Sequence, residues 1–598
     1  MKVFMISKRE GIIGLLSLGA FLKAAPDIFW GKLFFQVAPP SPVLQAQVEW
    51  HFKGENSALL VWDLGAGLSI QALEASHPLD TFWHDTLNRK VYVYFSSTLQ
   101  GMAGWIRVKY QGVPRSSGFG SYELKAHATG WCLWTLSQPY GAPDWLFCRD
   151  GLSDKVDSLD ITLRTPDTLI GVANGRLLAD SVDTEGWRWR HFQHRYPIAV
   201  YLIAFAVSNY VVQEIPVQTP ASSFVLRNYV FPQDTGIARQ LSLQFLPYFT
   251  WIENKVGPYP FASEDYQQVQ IGWRGGMEHQ TITFFGSYSL ELWAHELAHQ
   301  WFGDWVTCGS WHDIWLNESF ATYLGGCVFE ALGSSWWNVW LRGAILRAWT
   351  DTIYTVWVED TTDIFRIFRY TTTYLKGALA LHTLRDYLGE EAFWTALRHY
   401  LTAQGGGFAL TADFAEKVKP YWGATITAAF LDSWIYSPGY PRASFIWENV
   451  RSGQYIPLQP YPIRVEGRAI LASQDTQGIE LDLMVPSVQY AFSEPVLRLE
   501  VDPDTLTPYW GFRYAAPSAS YLFVGPNPFS EYLFLAPSHK VKQAILYDGL
   551  GREIERYVPT SKEMTLLWQL SPLPPGVYIL SLIVDEGVVN IPLLRSDR

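Results

Sequence analysis

The stretch Leu290-Glu-Leu-Trp-Ala-His-Glu-Leu-Ala-His299 decides how the rest of the chain is interpreted. Its apolar residues are spaced as on one face of a helix, and the pattern predicts a helix over residues 290–302. Because His295 and His299 are four residues apart, both imidazoles lie on one helix face, one turn apart, where they can share a metal ion. Glu296 directly follows the first histidine, and its carboxylate can reach water at that metal.

A third ligand is expected from the next helical pattern. Glu318 stands nineteen residues after His299, in Trp315-Leu-Asn-Glu-Ser-Phe-Ala321, and a returning helix could bring its carboxylate to the same ion. Two histidines and one carboxylate leave a fourth position open for water, which is typical of catalytic rather than structural zinc. The sequence therefore predicts one zinc ion per chain, held by His295, His299 and Glu318. The alternative is a surface helix with solvated histidines.

The chain changes character along its length and is predicted to be a multidomain α+β protein. Short alternating stretches such as residues 90–95 and 199–207 indicate an N-terminal β domain at residues 25–214. Residues 215–440 are predicted to be helical and to carry the zinc site. Helices are expected at residues 238–256, 289–302, 318–332, 373–388 and 391–404.

Beyond residue 440, short strands, proline and glycine return. A break near residue 519, within Ala515-Ala-Pro-Ser-Ala-Ser520, divides this part into two modules of similar length. The predicted order is a removable leader (1–24), the N-terminal β domain, the helical domain, and two β-sandwich modules at residues 441–518 and 519–598.

Composition excludes several classes of protein. The 598 residues are 48% hydrophobic and 17% charged, so the chain can bury enough apolar surface to fold, and intrinsic disorder is excluded. The net charge of −12 and the lack of a sustained basic run argue against nucleic acid as a partner. At roughly 100–200 residues per domain, this length calls for three to five domains.

The N-terminus has the pattern of an export signal. Lys2, Lys8 and Arg9 precede an apolar run at residues 11–22, and a pair of alanines follows it. About twelve apolar or small residues are too few to span roughly 30 Å of hydrocarbon as a helix, but they suit the core of a signal peptide. Export with removal of residues 1–24 is therefore predicted, without a transmembrane anchor. A buried N-terminal helix is the alternative.

Four cysteines are too few for a disulfide scaffold. In an oxidising compartment Cys132 could pair with Cys148, and Cys308 with Cys327, although four cysteines allow three connectivities. Buried free thiols are the open alternative.

Five further motifs accompany the zinc motif. They are Gln138-Pro-Tyr-Gly-Ala142, Leu152-Ser-Asp-Lys155, Val172-Ala-Asn-Gly175, Gly275-Gly-Met-Glu-His279 and Tyr374-Leu-Lys-Gly377. Together with the zinc motif they make residues 30–510 resemble peptidase family M1, the aminopeptidase N type of zinc exopeptidase. The resemblance implies a saddle-like N-terminal β domain, a thermolysin-like catalytic domain and a β-sandwich after it.

The same resemblance implies a role for the motif residues. Glu296 would act as general base and then as general acid, and the phenol of Tyr374 would stabilise the developing oxyanion. Glu278 would pair with the free α-ammonium of the substrate, helped by Gln138, which would make the enzyme an exopeptidase. The other residues that the resemblance assigns to substrate binding are Gly275, Gly276 and Met277.

Two positions depart from the family pattern. His279 replaces the usual asparagine of the Gly-Ala/Gly-Met-Glu-Asn motif, and Phe147 precedes Cys148 where proline is common. His279 and His312 are expected to make structural hydrogen bonds rather than to bind metal.

The last module carries a different set of motifs. Pro526-Asn-Pro-Phe529 is followed by residues 544–552 and 575–580, with glycine turns between strand patterns. This order resembles the C-terminal sorting domain of the type IX secretion system, which implies the secretion machinery as a partner and a secreted or cell-surface location. A generic terminal β domain, such as a carbohydrate-binding module, is the alternative.

The sequence therefore predicts a secreted or surface zinc aminopeptidase that acts on peptides with a free N-terminus. One branch of the same family hydrolyses epoxides with equivalent zinc, glutamate and tyrosine groups, and an epoxide hydrolase is the first alternative. The second is a catalytically silent surface-binding protein, although such a protein has no physical need for intact zinc and catalytic residues.

Overall fold

The computed structural model of this protein has strands first, then helices, then strands again. It describes residues 26–598 apart from residues 334, 442, 450–451, 458, 472, 495, 502–511, 516–522, 526–531, 537–540, 549–550, 559–565, 570–572, 575, 585–586 and 596–598. The predicted leader and the motif at 526–529 lie outside the described residues. Among the helices that are described, none is both long enough and apolar enough to cross a membrane.

The first strands form where buried and more exposed side chains alternate. Leu159–Pro166 alternates along its whole length, which is the period of a strand with one face in the core. The strands before the first long helix are β1 (Asp27–Gln36), β2 (Leu44–Lys53), β3 (Leu59–Asp63), β4 (Leu68–Ala75), β5 (Leu79–Asp85), β6 (Lys90–Phe95), β7 (Ala103–Gly112), β8 (Tyr122–His127), β9 (Gly130–Thr135), β10 (Lys155–Val156), β11 (Leu159–Pro166), β12 (Ile170–Ala173), β13 (Arg176–Val182), β14 (Trp187–His194), β15 (Ile198–Ala199), β16 (Phe205–Ser208), β17 (Val211–Gln218) and β18 (Ser223–Val230).

Most of these strands belong to three sheets. The largest has seven strands in the order β13-β14-β11-β1-β2-β7-β4, and its pairs are antiparallel except β1 with β11. A second sheet has the order β12-β16-β9-β8, and a third the order β3-β6-β5. The N-terminal β domain predicted from alternation is therefore confirmed.

One predicted strand in this region is wrong. Residues 199–207 do not form a single strand, because β15 ends at Ala199, a 3-10 turn covers Val200–Leu202, and β16 begins at Phe205. All these residues are buried. A run that is buried on every side shows no periodicity that could distinguish a strand from a turn.

The next sheet has five strands and carries the Gly-Gly-Met-Glu-His segment at residues 275–279 close to its edge strand. It adds β19 (Tyr266–Gln270), β20 (Gly276–Met277) and β21 (Ile282–Phe285), in the order β17-β18-β19-β21-β20. β19 runs parallel to β18 and β21, whereas β20 is an antiparallel edge strand. Helices α1 (Thr235–Val256) and α2 (Leu290–His299) contact this sheet, and α2 lies beside β20 and β21. The sheet therefore brings the Gly-Gly-Met-Glu-His segment to the helix of the zinc motif.

All five predicted helices are present, but their ends differ. The helix predicted at residues 289–302 ends at His299, and the one predicted at residues 318–332 begins at Trp315. The segment predicted to begin at residue 373 starts as a π-helix at Tyr370–Lys376 before α-helix continues. The remaining helices are α3 (Trp315–Ala331), α4 (Trp336–Ala348), α5 (Ile364–Ile367), α6 (Gly377–Leu388), α7 (Glu390–Gln404), α8 (Thr411–Trp422) and α9 (Ala424–Phe430), with a second π-helix at Leu431–Ile435 and a short strand pair of β22 (Thr307–Cys308) with β23 (Phe408–Ala409).

The chain divides into two compact units. The first runs up to Asn317 and includes Tyr400–Phe414, and the second consists of Glu318–His399 and the residues from Ala415 onward. The division falls inside α3, so the backbone of one continuous helix links Asn317 to Glu318.

The C-terminal strands belong to the second unit. These strands are β24 (Ala443–Asn449), β25 (Ser452–Pro457), β26 (Arg464–Leu471), β27 (Thr476–Asp482), β28 (Val488–Ala491), β29 (Val496–Val501), β30 (Phe512–Ala515), β31 (Phe523–Gly525), β32 (Tyr532–Ala536), β33 (Val541–Asp548), β34 (Glu553–Tyr557), β35 (Leu566–Gln569), β36 (Gly576–Val584) and β37 (Gly587–Arg595). β24–β30 form sheets of order β28-β25-β24-β30 and β27-β26-β29, and β31–β37 form sheets of order β31-β32-β35 and β34-β33-β36-β37. The domain bounds derived from the sequence stay predictions.

Aromatic side chains and thiols fill the interior. All four cysteines are buried free thiols, so the two pairings that export would permit are not formed. Burial raises the pKa of the Cys132 thiol to about 12, which keeps it protonated and unreactive. The tryptophans among the largest fully buried side chains are Trp50, Trp62, Trp134, Trp145, Trp293, Trp301, Trp315, Trp422 and Trp434.

Candidate active site

The helix of the zinc motif, α2, begins at a capping residue. The hydroxyl of Ser289 accepts a hydrogen bond of 3.3 Å from the backbone N–H of Leu292, which satisfies one of the amides that a helix start leaves without a partner. The indole of Trp293 is fully buried and fixes which face of the helix enters the core. With Trp293 in the core, His295 is half-buried and His299 is buried. The two histidines lie one turn apart on the same side of the helix.

The structure brings the three predicted zinc ligands together. His295, His299 and Glu318 each offer one ligand atom, and these atoms all lie within 4.8 Å of one another. Helix α3 begins at Trp315, and Glu318 is its fourth residue, in the first turn. Two imidazole nitrogens and one carboxylate oxygen are the donor set of catalytic zinc sites, so the residues present fit a zinc ion.

The imidazole contacts fit the same interpretation. The Nδ1 atom of His299 lies 3.0 Å from the carbonyl oxygen of Phe302, so Nδ1 carries the proton there and donates it. Its Nε2 atom then presents a lone pair, and the Nε2 atom of His295 lies 3.0 Å away from it. Since zinc–nitrogen distances are about 2.0–2.1 Å, two nitrogens this close can bind one ion.

Glu296 lies in the interior, with its carboxylate beside the edge strand β20. Its side chain is only 3% exposed and packs against the strand β20. A Cβ atom at Gly276 would lie 2.1 Å from the Oε1 atom of Glu296, so glycine at this position lets the carboxylate approach the strand closely. Glu278, Glu296 and His299 also have ligand atoms within 4.8 Å of one another. Two buried carboxylates therefore flank one of the zinc ligands.

Gln138, which the resemblance places near the substrate amine, contacts Glu278. The amide Nε2 of Gln138 donates a hydrogen bond of 2.8 Å to Oε1 of Glu278, and both side chains are buried. Gln138 comes from the loop after β9, whereas Glu278 follows β20, so the first unit builds this contact from segments far apart in the sequence. This hydrogen bond holds the carboxyl group of Glu278 in one orientation.

His279 does not make the structural hydrogen bonds predicted for it. The ring is completely buried, neither Nδ1 nor Nε2 has a hydrogen-bond partner, and the ring centroid lies 4.5 Å from that of Phe284 in an edge-to-face contact. Burial lowers the pKa of His279 to about 3, so the imidazole is neutral at ordinary pH. His279 therefore occupies the asparagine position as an apolar-packed ring.

Acid should destabilise the protein through His279, and His279→Asn should remove that effect. The pKa of His279 is about 3 in the folded protein, whereas the pKa of a histidine in an unfolded chain is about 6.5. Between these two pH values the unfolded chain therefore binds one more proton than the folded protein. Stability therefore falls as the pH falls below 6.5, by about 2 kcal/mol at pH 5. When urea denaturation is measured at pH 7 and at pH 5, the free energy of unfolding should fall between these two pH values by about 2 kcal/mol more in the wild-type protein than in the variant. Equal losses in the two proteins would contradict this role.

Tyr374 lies on the π-helix Tyr370–Lys376 of the second unit. Its ring is half-buried, and the ring centroid of Tyr370 lies 5.8 Å away. The ammonium group of Lys376, in the same motif, donates a hydrogen bond of 2.6 Å to the carbonyl of Ser437. π-Helical turns are rare and occur frequently at functional sites, which agrees with a role for this segment.

Two further residues hold the motif segments together and were missed in the sequence. The side-chain Oε1 of Gln300 accepts a hydrogen bond of 2.9 Å from the N–H of Thr281, and its Nε2 donates one of 3.3 Å to the carbonyl of Glu278.

The ammonium of Lys155 donates a hydrogen bond of 2.7 Å to the carbonyl of Asp304. Burial lowers the pKa of Lys155 to about 7 and raises that of the Asp304 carboxyl well above its usual range. Two features of the sequence could have indicated these contacts. Gln300 directly follows the zinc motif, and Lys155 ends the motif Leu152-Ser-Asp-Lys155.

Comparison with known proteins places the helical part in one family. Residues 285–434 match the model described as the peptidase family M1 domain. The chain is similar to aminopeptidase N of Lactococcus lactis subsp. cremoris strain MG1363, with 38% identity over 163 residues, which is 26% of this chain and 19% of that protein. It is similar to leucyl aminopeptidase of Saccharolobus solfataricus, with 36% identity over 159 residues, which is 25% of this chain and 20% of that protein. The matches thus span about a fifth of the length of these two curated relatives.

A solved structure extends the likeness to the N-terminal strands. The M1 zinc metallopeptidase from Deinococcus radiodurans matches with a TM-score of 0.59 and 25% identity, over 69% of this chain and 94% of that one. The resemblance to family M1 is therefore confirmed for residues 285–434, and the order of an N-terminal β domain followed by a helical domain is confirmed as well. The chain thus carries a peptidase family M1 domain at residues 285–434.

Proposed function

We propose that this chain is a zinc-dependent aminopeptidase, which removes N-terminal residues from peptides. The observation that carries the proposal is the meeting of two groups of side chains at His299. One group, with His295 and Glu318, suits a metal ion. The other, with Glu278 and Glu296, supplies a proton acceptor and an anion for the amine of a peptide.

The hydrolytic step needs a metal and a base. His295, His299 and Glu318 would hold one zinc ion, whose Lewis acidity would make water nucleophilic at neutral pH and polarise a carbonyl oxygen. Glu296 accepts the proton of the attacking water and returns it to the leaving amine, as general base and then general acid. Its carboxylate is buried against β20 in a fixed place, so it need not be ordered before it acts.

The preference for a free N-terminus follows from Glu278. Its buried carboxylate is oriented by Gln138, and the positive α-ammonium of a peptide would form a charge-assisted hydrogen bond with it. A blocked N-terminus brings no cation and places an acyl group against the carboxylate, which leaves a buried charge uncompensated. Glu278 thus selects exopeptidase over endopeptidase substrates.

Tyr374 supplies the remaining group. As the peptide carbonyl is attacked, negative charge develops on its oxygen, and a phenol O–H can donate a hydrogen bond to that charge. Tyr374 carries this role by its place in the Tyr-x-Lys-Gly motif, on a π-helix of the second unit.

The proposal is tested with a matched pair of substrates. Leucine arylamide and N-acetyl-leucine arylamide differ only in the free amine, and the wild-type protein should release the arylamine only from the first. Glu278→Gln should lower kcat/KM for the free substrate roughly 10- to 100-fold, since a hydrogen bond to a charged group contributes about 1.5–3 kcal/mol. Equal turnover of both substrates would remove the role of Glu278.

The same assay separates the two alternatives. An epoxide hydrolase of this family would open an epoxide substrate without releasing arylamine from either compound, and a silent binding protein would do neither. No observation in the structure favours one of these two over the aminopeptidase.

We also propose that the protein is exported and then sorted by its last module. The support is the leader pattern at residues 1–24 and the type IX-like order of motifs at residues 519–598, together with the β33, β34, β36 and β37 sheet. Deletion of residues 519–598 should hold the protein inside the cell envelope of a host with type IX secretion, whereas the full chain leaves it. Unchanged release of the shortened chain would contradict the sorting role.

A further inference from the structure

The third zinc ligand and the oxyanion tyrosine lie on two segments of the same compact unit. Glu318 is on α3, and Tyr374 is on the π-helix Tyr370–Lys376. Their direct chain neighbours are hydrogen-bonded to each other, because the hydroxyl of Ser319 donates a bond of 2.6 Å to the carbonyl oxygen of Thr373. Both of these residues are completely buried. One short bond therefore joins the two segments directly beside the two functional side chains.

The π-helical geometry explains why this carbonyl can accept the bond. In an α-helix the N–H of Gly377 would donate to the carbonyl of Thr373, four residues earlier. Here it donates to the carbonyls of Thr372 and Tyr374 instead. The hydroxyl of Ser319 donates to the Thr373 carbonyl, which the Gly377 N–H would use in an α-helix.

Gly377 shows how closely the two segments approach at this point. A Cβ atom at this position would lie 1.8 Å from Oγ and 2.5 Å from Cβ of Ser319. The next atom that it would meet, Cγ1 of Val356, is at an ordinary contact distance of 3.4 Å. Ser319 alone therefore forbids a side chain at 377, and glycine at 377 alone leaves room for Ser319.

We infer that Ser319 is a positioning residue, which fixes Glu318 and Tyr374 at their working separation through its hydrogen bond to Thr373 and its close packing on Gly377. The inference rests on the proposed function, in which Glu318 holds the metal and Tyr374 donates to the oxyanion. Because the metal that Glu318 would hold and the phenol of Tyr374 would both act on the same substrate carbonyl, a shift of about 1 Å between their segments can cost about a hundredfold in rate.

The first experiment removes the hydroxyl and uses a matched control. Ser319→Ala should lower kcat for leucine arylamide about tenfold, with KM and zinc content unchanged, because the segments relax without leaving their places. Ser433→Ala is the control, since Ser433 is a buried serine of the same unit and its hydroxyl donates a bond of 2.5 Å to the carbonyl of Pro460. This control should lower the unfolding temperature by a similar amount and leave kcat within twofold.

The second experiment tests the packing by exchanging the two positions. Gly377→Ala alone should lower kcat about a hundredfold, since its Cβ would drive the segments apart. In the double variant Ser319→Gly, Gly377→Ala, the new Cβ takes the space that the serine leaves, and kcat should return to the level of Ser319→Gly alone. Thermal unfolding of the four proteins should show the same non-additive pattern, which gives a readout independent of activity.

The outcomes are distinct. If the wild-type protein is active and Ser319→Ala keeps its full kcat, or if Gly377→Ala is equally harmful with and without Ser319, the positioning role is overturned while the aminopeptidase stands. A fall in kcat for Ser433→Ala equal to that for Ser319→Ala would likewise overturn it, because any loss of buried contacts would then have the same effect. If the wild-type protein releases no arylamine, the proposed function itself has failed.

Discussion

Glu296→Gln should lower kcat for leucine arylamide by roughly 10²–10⁴-fold, the usual contribution of general acid–base catalysis. A carboxamide has nearly the shape of a carboxylate, and at position 296 it would occupy the same buried place against Gly276. It cannot accept a proton from water, however, so the nucleophile is no longer activated. Because Glu296 is not among the three predicted ligands, the variant should still bind one zinc ion per chain and fold normally.

The matched control is Glu291→Gln. Glu291 lies in the first turn of the same helix, α2, more than one turn before the zinc motif. Glu291 belongs to neither of the two side-chain groups that come together at His299, so the control makes the same chemical change on the same helix without altering these groups, and kcat should stay within twofold. A Glu296→Gln variant with more than a tenth of the wild-type activity would remove Glu296 from the mechanism, provided that its zinc content is normal.

Tyr374→Phe should lower kcat by roughly 10²–10³-fold and leave KM almost unchanged. The phenol donates its hydrogen bond to charge that develops only in the transition state, so its loss affects the rate rather than the binding of substrate. Phenylalanine keeps the aromatic ring and its packing, and removes only the oxygen atom.

Tyr370→Phe provides the comparison for this variant. Tyr370 is on the same π-helix, its ring lies 5.8 Å from that of Tyr374, and its side chain is exposed. The loss of its hydroxyl should leave kcat within twofold. If the two variants lost activity to the same extent, the effect would belong to the segment as a whole and not to the phenol of Tyr374.

The sequence predicts local structure well where a period is visible. The strand at Lys90–Phe95 has the bounds that alternation predicts, and the helix predicted at residues 290–302 from apolar spacing is present at Leu290–His299. Spacing also predicts the zinc ligands, because His295 and His299 are neighbours on any helix. Glu318 needed a further assumption, that the next helix returns to the first, and the structure brings its carboxylate to the histidines.

Contacts between distant segments could not be read in this way. The π-helix at Tyr370–Lys376 has no sequence period of its own. The carbonyl of Thr373 in this helix accepts a hydrogen bond from the hydroxyl of Ser319, which lies fifty-four residues earlier in the chain. The prediction for His279 was wrong for a similar reason. A buried histidine is usually hydrogen-bonded. In the structure, however, the His279 ring packs against Phe284, and neither of its nitrogens has a hydrogen-bond partner. Gln138 was placed by family resemblance, not by any local pattern.

The most direct test of the account is a zinc titration of the protein after a chelator has removed its metal. Leucine arylamide hydrolysis should be absent in the metal-free protein, should rise linearly with added zinc, and should reach a plateau at one zinc ion per chain. Glu318→Gln should weaken zinc binding and shift this curve to higher zinc concentrations, since it removes one of the three ligands. Full activity in the metal-free protein, or a titration that Glu318→Gln leaves unchanged, would contradict the central claim that His295, His299 and Glu318 form a catalytic zinc site.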